Sequence, residues 1–270
     1  MPLLVDQLAV HLHSDRTRMG RAAARVAHAH VKAAVAARGR ARVILSSAPS
    51  QDDFYAALAD LAAAEPAVWR AVVAYHMDDY VGLAPDHPQS FSRYLQEHFL
   101  HRVAVGEFHP IRGDAPDPAA EAKRYAAMLT AAPIDLIGMG IGENGHIAFN
   151  DPPVADFKDP VAVKIVEMDT VCRQQQVNDG CFPTIAAVPR HALTITLPVF
   201  AGAGLLSCHV PTVRKAAAVR ATLTGPVGVA CPATLLREHP NAGLYLDPAA
   251  ASLLPADMIA RATVAASAQE

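Results

Sequence analysis

The chain has 270 residues, a net charge of −3 and 52% hydrophobic residues, enough to bury a sizeable core. The charge gives no electrostatic footprint for nucleic acid, and no run approaches the ~20 apolar residues that a membrane span needs. The N-terminus MPLLVDQLAVHLHSD lacks a basic stretch and a long apolar run, so it does not read as a signal peptide. Cys172, Cys181, Cys208 and Cys231 show no CxxC spacing and read as reduced thiols, which points to a cytoplasmic protein.

In chain order, the pattern predicts a helix over Arg16–Arg38 stopped by Gly39, then a strand over Ala41–Ser47. Asp52–Ala64 reads as a helix and Ala71–His76 as a strand running into HMDDYVGL. Gln89–Val103 and Pro118–Ala131 read as helices, the second with proline near its first turn. Ile134–Met139 is an apolar run of the kind buried on both faces of a sheet. Ala192–Val199 and Leu205–Val210 read as strands, and Thr212–Leu223 and Cys231–Arg237 as helices. Ala242–Asp247 reads as a last strand before a C-terminal helix. Strands alternating with helices imply an α/β fold, a three-layer αβα arrangement with a mainly parallel, Rossmann-like sheet. No linker or repeat divides the chain, so residues 1–270 read as one domain.

The segment Ile134–Pro153, IDLIGMGIGENGHIAFNDPP, crowds Gly138, Gly140, Gly142 and Gly145 around His146 directly after a strand. Open α/β proteins place ligands at such carboxyl edges. Gly140 to Gly145 spells G-x-G-x-x-G, but the dinucleotide fingerprint must open a helix in a first βα unit. This one lies mid-chain and runs into Pro152 and Pro153, so a nicotinamide site is rejected. An isolated histidine is usually a satisfied loop residue. This one sits among glycines five residues before Asp151, a context that favours a working imidazole.

Asp78 and Asp79 follow a strand end. They read either as two solvated carboxylates in a turn or as a site. A metal assisted by His76 or His87 matches no standard spacing. The sharper reading is one carboxylate acting as general base, its pKa raised by burial and a neighbouring charge. Lys215 is either a surface lysine or, at a helix N-terminus, a phosphate clamp, and Arg173 is ambiguous in the same way.

Several segments together resemble the glucosamine-6-phosphate deaminase/isomerase family, related to 6-phosphogluconolactonases: residues 76–99, 135–152, 188–198, the helix beginning at Lys215, and 225–247. The resemblance implies no metal or organic cofactor and a small phosphosugar as partner, and leaves self-association open. It implies conversion of an amino-sugar 6-phosphate and water to a ketose 6-phosphate and ammonia. Asp78 would be the general base between C2 and C1 and His146 would assist ring opening. Asp151 would orient His146 from a position where the family usually has glutamate. Asn144 stands where many members have aspartate. Lys215 would bind phosphate, with Ser47, Ser50, Asp79, Gly145 and Arg173 as further substrate contacts.

Three departures stand out. Where the family has a glycine-rich phosphate turn, this chain has Ser46-Ser-Ala-Pro-Ser-Gln51, and Pro49 has no N–H to offer. The phosphate ligand expected near Arg173 falls on Gln176 in an ungapped match. Basic residues that serve allosteric activation in some members fall near Val161 and Val163, so no such control is expected. A lactonase of the same superfamily and a non-catalytic phosphosugar-binding protein are the rival readings; the intact MDDY segment argues against the first.

Overall fold

A computed structural model describes residues 2–267. The elements are β1 (Leu3–Val5), β2 (Leu8–Leu12), α1 (Arg16–Arg38), β3 (Ala41–Leu45), α2 (Asp52–Ala64), α3 (Pro66–Trp69), β4 (Val72–His76), β5 (Asp78–Tyr80), α4 (Phe91–His98), β6 (Glu107–His109), α5 (Pro118–Thr130) and β7 (Leu136–Met139). They continue with β8 (Val163–Glu167), α6 (Thr170–Asn178), β9 (His191–Ile195), α7 (Leu197–Ala201), β10 (Leu205–Val210), α8 (Ala216–Thr224), β11 (Ala242–Leu246) and α9 (Ala256–Ser267). Among the described residues no helix is long and apolar enough to cross a membrane.

An eight-stranded sheet runs β1-β2-β11-β10-β7-β3-β4-β6, parallel except for the β1–β2 hairpin. Its five central strands, β11, β10, β7, β3 and β4, are buried on both faces, and successive residues enter opposite cores as the two-residue pleat requires. Leu136, Val43, Leu45, Val72 and Ala74 pack with α1 and α2, while Ile137, Met139, Ile44, Val73 and Tyr75 pack on the other side. That alternation makes the three layers. Asp15 caps α1 by accepting from Arg18 N at 2.7 Å, and Gly39 ends it in a left-handed conformation, its N–H bonded to Val35 O at 2.8 Å.

The departures from the sequence reading cluster where tertiary contacts outweigh local pattern. The run Ala192–Val199 splits, because the strand ends at Ile195 and Leu197–Ala201 coils into a helix with Pro198 in its first turn. Gln89–Val103 shortens to α4 plus a single 3-10 turn, and Cys231–Arg237 contains a 3-10 helix rather than an α-helix. The segment Asp78–Tyr80 is not an open turn. It is a strand of a second, antiparallel sheet ordered β5-β9-β8, in which Asp78 lies opposite Thr194.

Candidate active site

The carboxyl ends of β3, β4, β7 and β10 meet around a cleft of ≈ 820 Å³. Ser47 and Ser50 line it from the loop after β3, Asp78 from β5, His146 from the loop after β7, and Lys215 from the turn after β10. Four segments, each 28 to 69 residues from the next in sequence, thus converge on one cavity, at the edge where α/β folds place ligands.

The small sheet holds the reactive groups together. Thr194, opposite Asp78 on β9, accepts a hydrogen bond from Phe149 N at 3.1 Å. Asn150, fully buried, donates to Ile147 O at 3.0 Å and Ile195 O at 2.8 Å. β9 therefore fixes both the strand that carries Asp78 and the loop that carries His146.

Asp78 and Asp79 are both buried but have different environments. Alternate strand residues face opposite ways. Asp79 accepts from Tyr80 N at 2.8 Å, Phe91 N at 3.3 Å, Ser92 N at 3.4 Å and the Ser90 hydroxyl at 3.3 Å. Burial raises its carboxyl to about 6, and these donors limit the rise. Asp78 faces the cleft, where burial first and the Asp79 charge second push its carboxyl well above the usual range. Two adjacent acids are driven apart in this way, one held by donors and one left as a strong base. Asp79 is absent from the cleft lining, so the structure makes it an anchor for the start of α4 rather than a substrate contact.

In the His146 loop, Nδ1 lies 2.7 Å from Asn144 Oδ1 and 2.9 Å from Asp151 Oδ1. Asn144 Nδ2 donates to the same Asp151 oxygen at 2.9 Å, which fixes the amide with its oxygen toward the ring. Both neighbours of Nδ1 are acceptors, so Nδ1 carries the proton and Nε2 is the nitrogen left to exchange protons. Burial alone would raise the Asp151 carboxyl, but its contacts with His146 and Asn144 hold it below the usual value. The Cys172 thiol completes a trio with ligand-type atoms within 4.8 Å of one another, and burial pushes that thiol well up, away from the thiolate a metal would take.

The loop's glycines have separate jobs. A Cβ on Gly142 would collide with the His146 imidazole, so the ring lies flat against the bare backbone. Gly145 has φ +84, and a Cβ there would come 2.6 Å from Cys231 Sγ. Gly145 shapes the turn and does not line the cleft. The turn leads into an isolated bridge between Ile147 and Asn150, not into a helix. Gly142→Ala should therefore cut kcat by about 10²-fold or more, as a displaced catalytic group does. Thermal unfolding and circular dichroism should show the fold retained, and a fully active variant would contradict this packing.

Lys215 precedes α8 as its N-cap and is 8% exposed. Among the described residues it forms no ion pair within 4.0 Å, so its amine is available to an anion in the cleft. Burial lowers its pKa, against the opposing charges of Asp179 and Glu143. Arg214 is instead engaged with Asn178 O at 2.8 Å and Asp179 at 3.5 Å. Arg16 is held by Asp53 and by the Pro49 carbonyl, which ties the N-terminus of α1 to the Ser46–Gln51 loop.

Arg173 does not reach the cleft. Its guanidinium donates to Ile185 O at 2.6 Å and Val188 O at 3.1 Å, pinning the loop after α6. α6 turns Gln175 and Gln176 to the cleft instead, and Tyr80 donates to Gln176 Oε1 at 2.8 Å. Sequence reading also missed Thr212, Tyr94 and His98, all of which line the cleft. Thr212 has φ 80 and ψ 150, a region that is essentially reserved for glycine. Asp247 holds it there by accepting from Thr212 N through both oxygens, at 3.2 and 3.1 Å. Thr212→Gly should raise stability by about 1–2 kcal/mol, or roughly 2–8 °C in Tm by scanning calorimetry. No gain would mean that the strand–turn junction carries no strain.

This fold and site define a class: an open α/β protein with a buried carboxylate of raised pKa, an oriented histidine and a lysine around one cleft, a set of groups suited to moving protons on an anionic substrate. The chain belongs to the family of glucosamine-6-phosphate isomerases and 6-phosphogluconolactonases, which it matches over residues 14–243. It is similar to the glucosamine-6-phosphate deaminase of Exiguobacterium sp. AT1b, 38% identical over 196 residues, covering 72% of this chain and 75% of that one. The corresponding deaminase of Listeria innocua is 36% identical over 183 residues, covering 68% and 76%. A solved structure of a monomeric glucosamine-6-phosphate deaminase superposes with a TM-score of 0.83 at 27% identity, covering 90% of this chain and 99% of that one. A 6-phosphogluconolactonase from Shewanella baltica shares the fold, with a TM-score of 0.72 at 16% identity over 91% and 99%.

Proposed function

We propose that this chain, acting as one unit over residues 1–270, converts glucosamine 6-phosphate or a related amino-sugar phosphate and water to fructose 6-phosphate and ammonia. The observation that supports this reading best is Asp78: a buried carboxylate with raised pKa, facing the same cleft as an oriented histidine. Moving a proton from C2 to C1 beside a carbonyl or imine needs a base strong enough to remove it and able to return it. A raised pKa supplies both.

The cyclic sugar must open first. Nε2 of His146 carries the proton between the anomeric hydroxyl and the ring oxygen, while Asn144 and Asp151 keep Nδ1–H engaged. Asp78 then takes the C2 proton and delivers it to C1, and the resulting imine at C2 is hydrolysed to the ketose and ammonia. Lys215 supplies the positive charge for the 6-phosphate, with the Ser46–Gln51 loop beside it. Lactone hydrolysis requires no base at C2, so the environment of Asp78 favours the isomerising reaction.

The test is purified protein with glucosamine 6-phosphate, following ammonia by a coupled assay and fructose 6-phosphate separately. Equimolar release of both is expected. Hydrolysis of 6-phosphogluconolactone without either product would assign the chain to the other branch of the family.

A further inference from the structure

The Ser46–Gln51 loop contains no glycine, and a buried chain of hydrogen bonds stands behind it. Gln51 is fully buried, and its amide nitrogen lies 2.9 Å from Ser50 Oγ and 3.3 Å from His209 O. A backbone carbonyl can only accept, so the NH2 group must occupy that side and Gln51 Oε1 must face the other way. There it lies 2.7 Å from His209 Nδ1, so Nδ1 must carry a proton. His209 Nε2 is then the acceptor and takes the Ser207 hydroxyl at 2.8 Å. The imidazole is sandwiched against Phe54 with ring centroids 3.9 Å apart, which holds it in one orientation.

Every donor in this chain points the same way: Ser207 to His209, His209 to Gln51, Gln51 to Ser50. Ser50 Oγ accepts from Gln51, so its own hydrogen remains to be given to the cleft. Ser47, by contrast, already spends its hydrogen on Phe91 O at 3.0 Å. The two serines line one cavity yet present opposite polarity. A Cβ on Gly140 would lie 3.2 Å from Ser50 Oγ and 3.1 Å from Gln51 Nε2, so the relay packs directly against the loop that carries His146.

We propose that Gln51 and His209 are positioning residues that make Ser50 a dedicated donor to an acceptor-only anion, a phosphoryl group, in the cleft. This rests on the phosphosugar reading above only for the identity of the anion's carrier. The relay stands in for backbone N–H groups: one polarised hydroxyl aimed from a rigid interior.

Inorganic phosphate is the probe, titrated calorimetrically into the full chain without any turnover. Gln51→Glu keeps the size and the acceptor for His209 but cannot donate while ionised, so Ser50 turns its hydrogen inward. Phosphate binding should weaken about tenfold or more, as expected for losing a hydrogen bond to a charged group. In a Ser50→Ala background the same change should add almost nothing. Relative to wild type, the Gln51→Glu defect should shrink as pH falls and the introduced carboxyl regains a proton to donate. In turnover assays the effect should fall on KM more than on kcat. Ser50→Ala alone tests the endpoint with a minimal truncation. Phosphate binding within twofold of wild type for Ser50→Ala, or for a folded Gln51→Glu variant, would overturn the proposal. So would an equal loss with and without Ser50. An absence of amino-sugar turnover with the Gln51 effect on phosphate intact would instead reject the deaminase reading and keep the relay.

Discussion

Asp78→Asn should lower kcat by about 10³-fold, within the range expected for removing a general base, while making the protein more stable. The two signs follow from one cause. Burial and the neighbouring Asp79 raise the Asp78 pKa, so its charged form is the disfavoured one in the folded state. A raised carboxylate contributes stability below its unfolded value and loses it as pH rises through the folded value. For Asp79 that window runs from the ordinary 3.8 to about 6, and Asp78, raised well above 3.8, follows the same sign. At pH 7.5 the uncharged amide should therefore stabilise by about 1–2 kcal/mol, or roughly 2–8 °C in Tm. The same reasoning makes kcat/KM rise with pH along an acid limb set by Asp78, because the base works only when ionised. Calorimetry and steady-state kinetics on one preparation check both halves. A variant that turns over normally, or that is less stable at pH 7.5, would show that Asp78 is structural rather than a base.

His146→Gln is the second large effect. Glutamine can keep a hydrogen bond toward Asn144 or Asp151, but an amide cannot carry a proton between the anomeric hydroxyl and the ring oxygen. The loss should be about 10²–10³-fold in kcat for the cyclic sugar, in line with a single acid–base group. In the proposed mechanism isomerisation at C2 does not use this residue, so solvent-exchange of the C2 proton should slow only because the open chain forms slowly. The discriminating measurement is pre-steady-state. With ring opening impaired, the deuterium isotope effect at C2 should collapse toward one, as proton abstraction ceases to limit the rate. An isotope effect equal to wild type, with the rate lowered, would place His146 in the proton transfer itself. Asn144→Asp offers a contrast, because it adds charge beside Nδ1 without removing the acceptor.

The sequence by itself determined the sheet and pointed to the candidate site groups. Runs such as Leu136–Met139 and Leu205–Val210 are mostly apolar and are buried on both faces, as a sheet covered on both sides requires. Asp15 and Gly39 bracket α1 by local capping chemistry, which is why those bounds were legible. Asp78, His146 and Lys215 could be picked out because each follows such a strand, and Ser50 because it sits in the loop after the first one.

Only the tertiary structure decided how these groups are used. Nothing local marks Asp78–Tyr80 as a strand, since three residues gain that conformation by pairing with β9, more than 100 positions on. The roles of Asp78 and Asp79 part company because the pleat sends one to the cleft and the other to the donors at the start of α4. Gln176, where the ungapped match falls, lines the cleft, whereas the Arg173 guanidinium is spent on the Ile185 and Val188 carbonyls and stays out of it. Gln51, His209 and Ser207 carry no sequence signal at all. They form a relay only because the sheet lays β10 beside β7 and under the loop that follows β3. Hydrophobic period and capping are written in neighbouring residues, whereas the direction in which a hydroxyl points is fixed by partners up to 158 residues away.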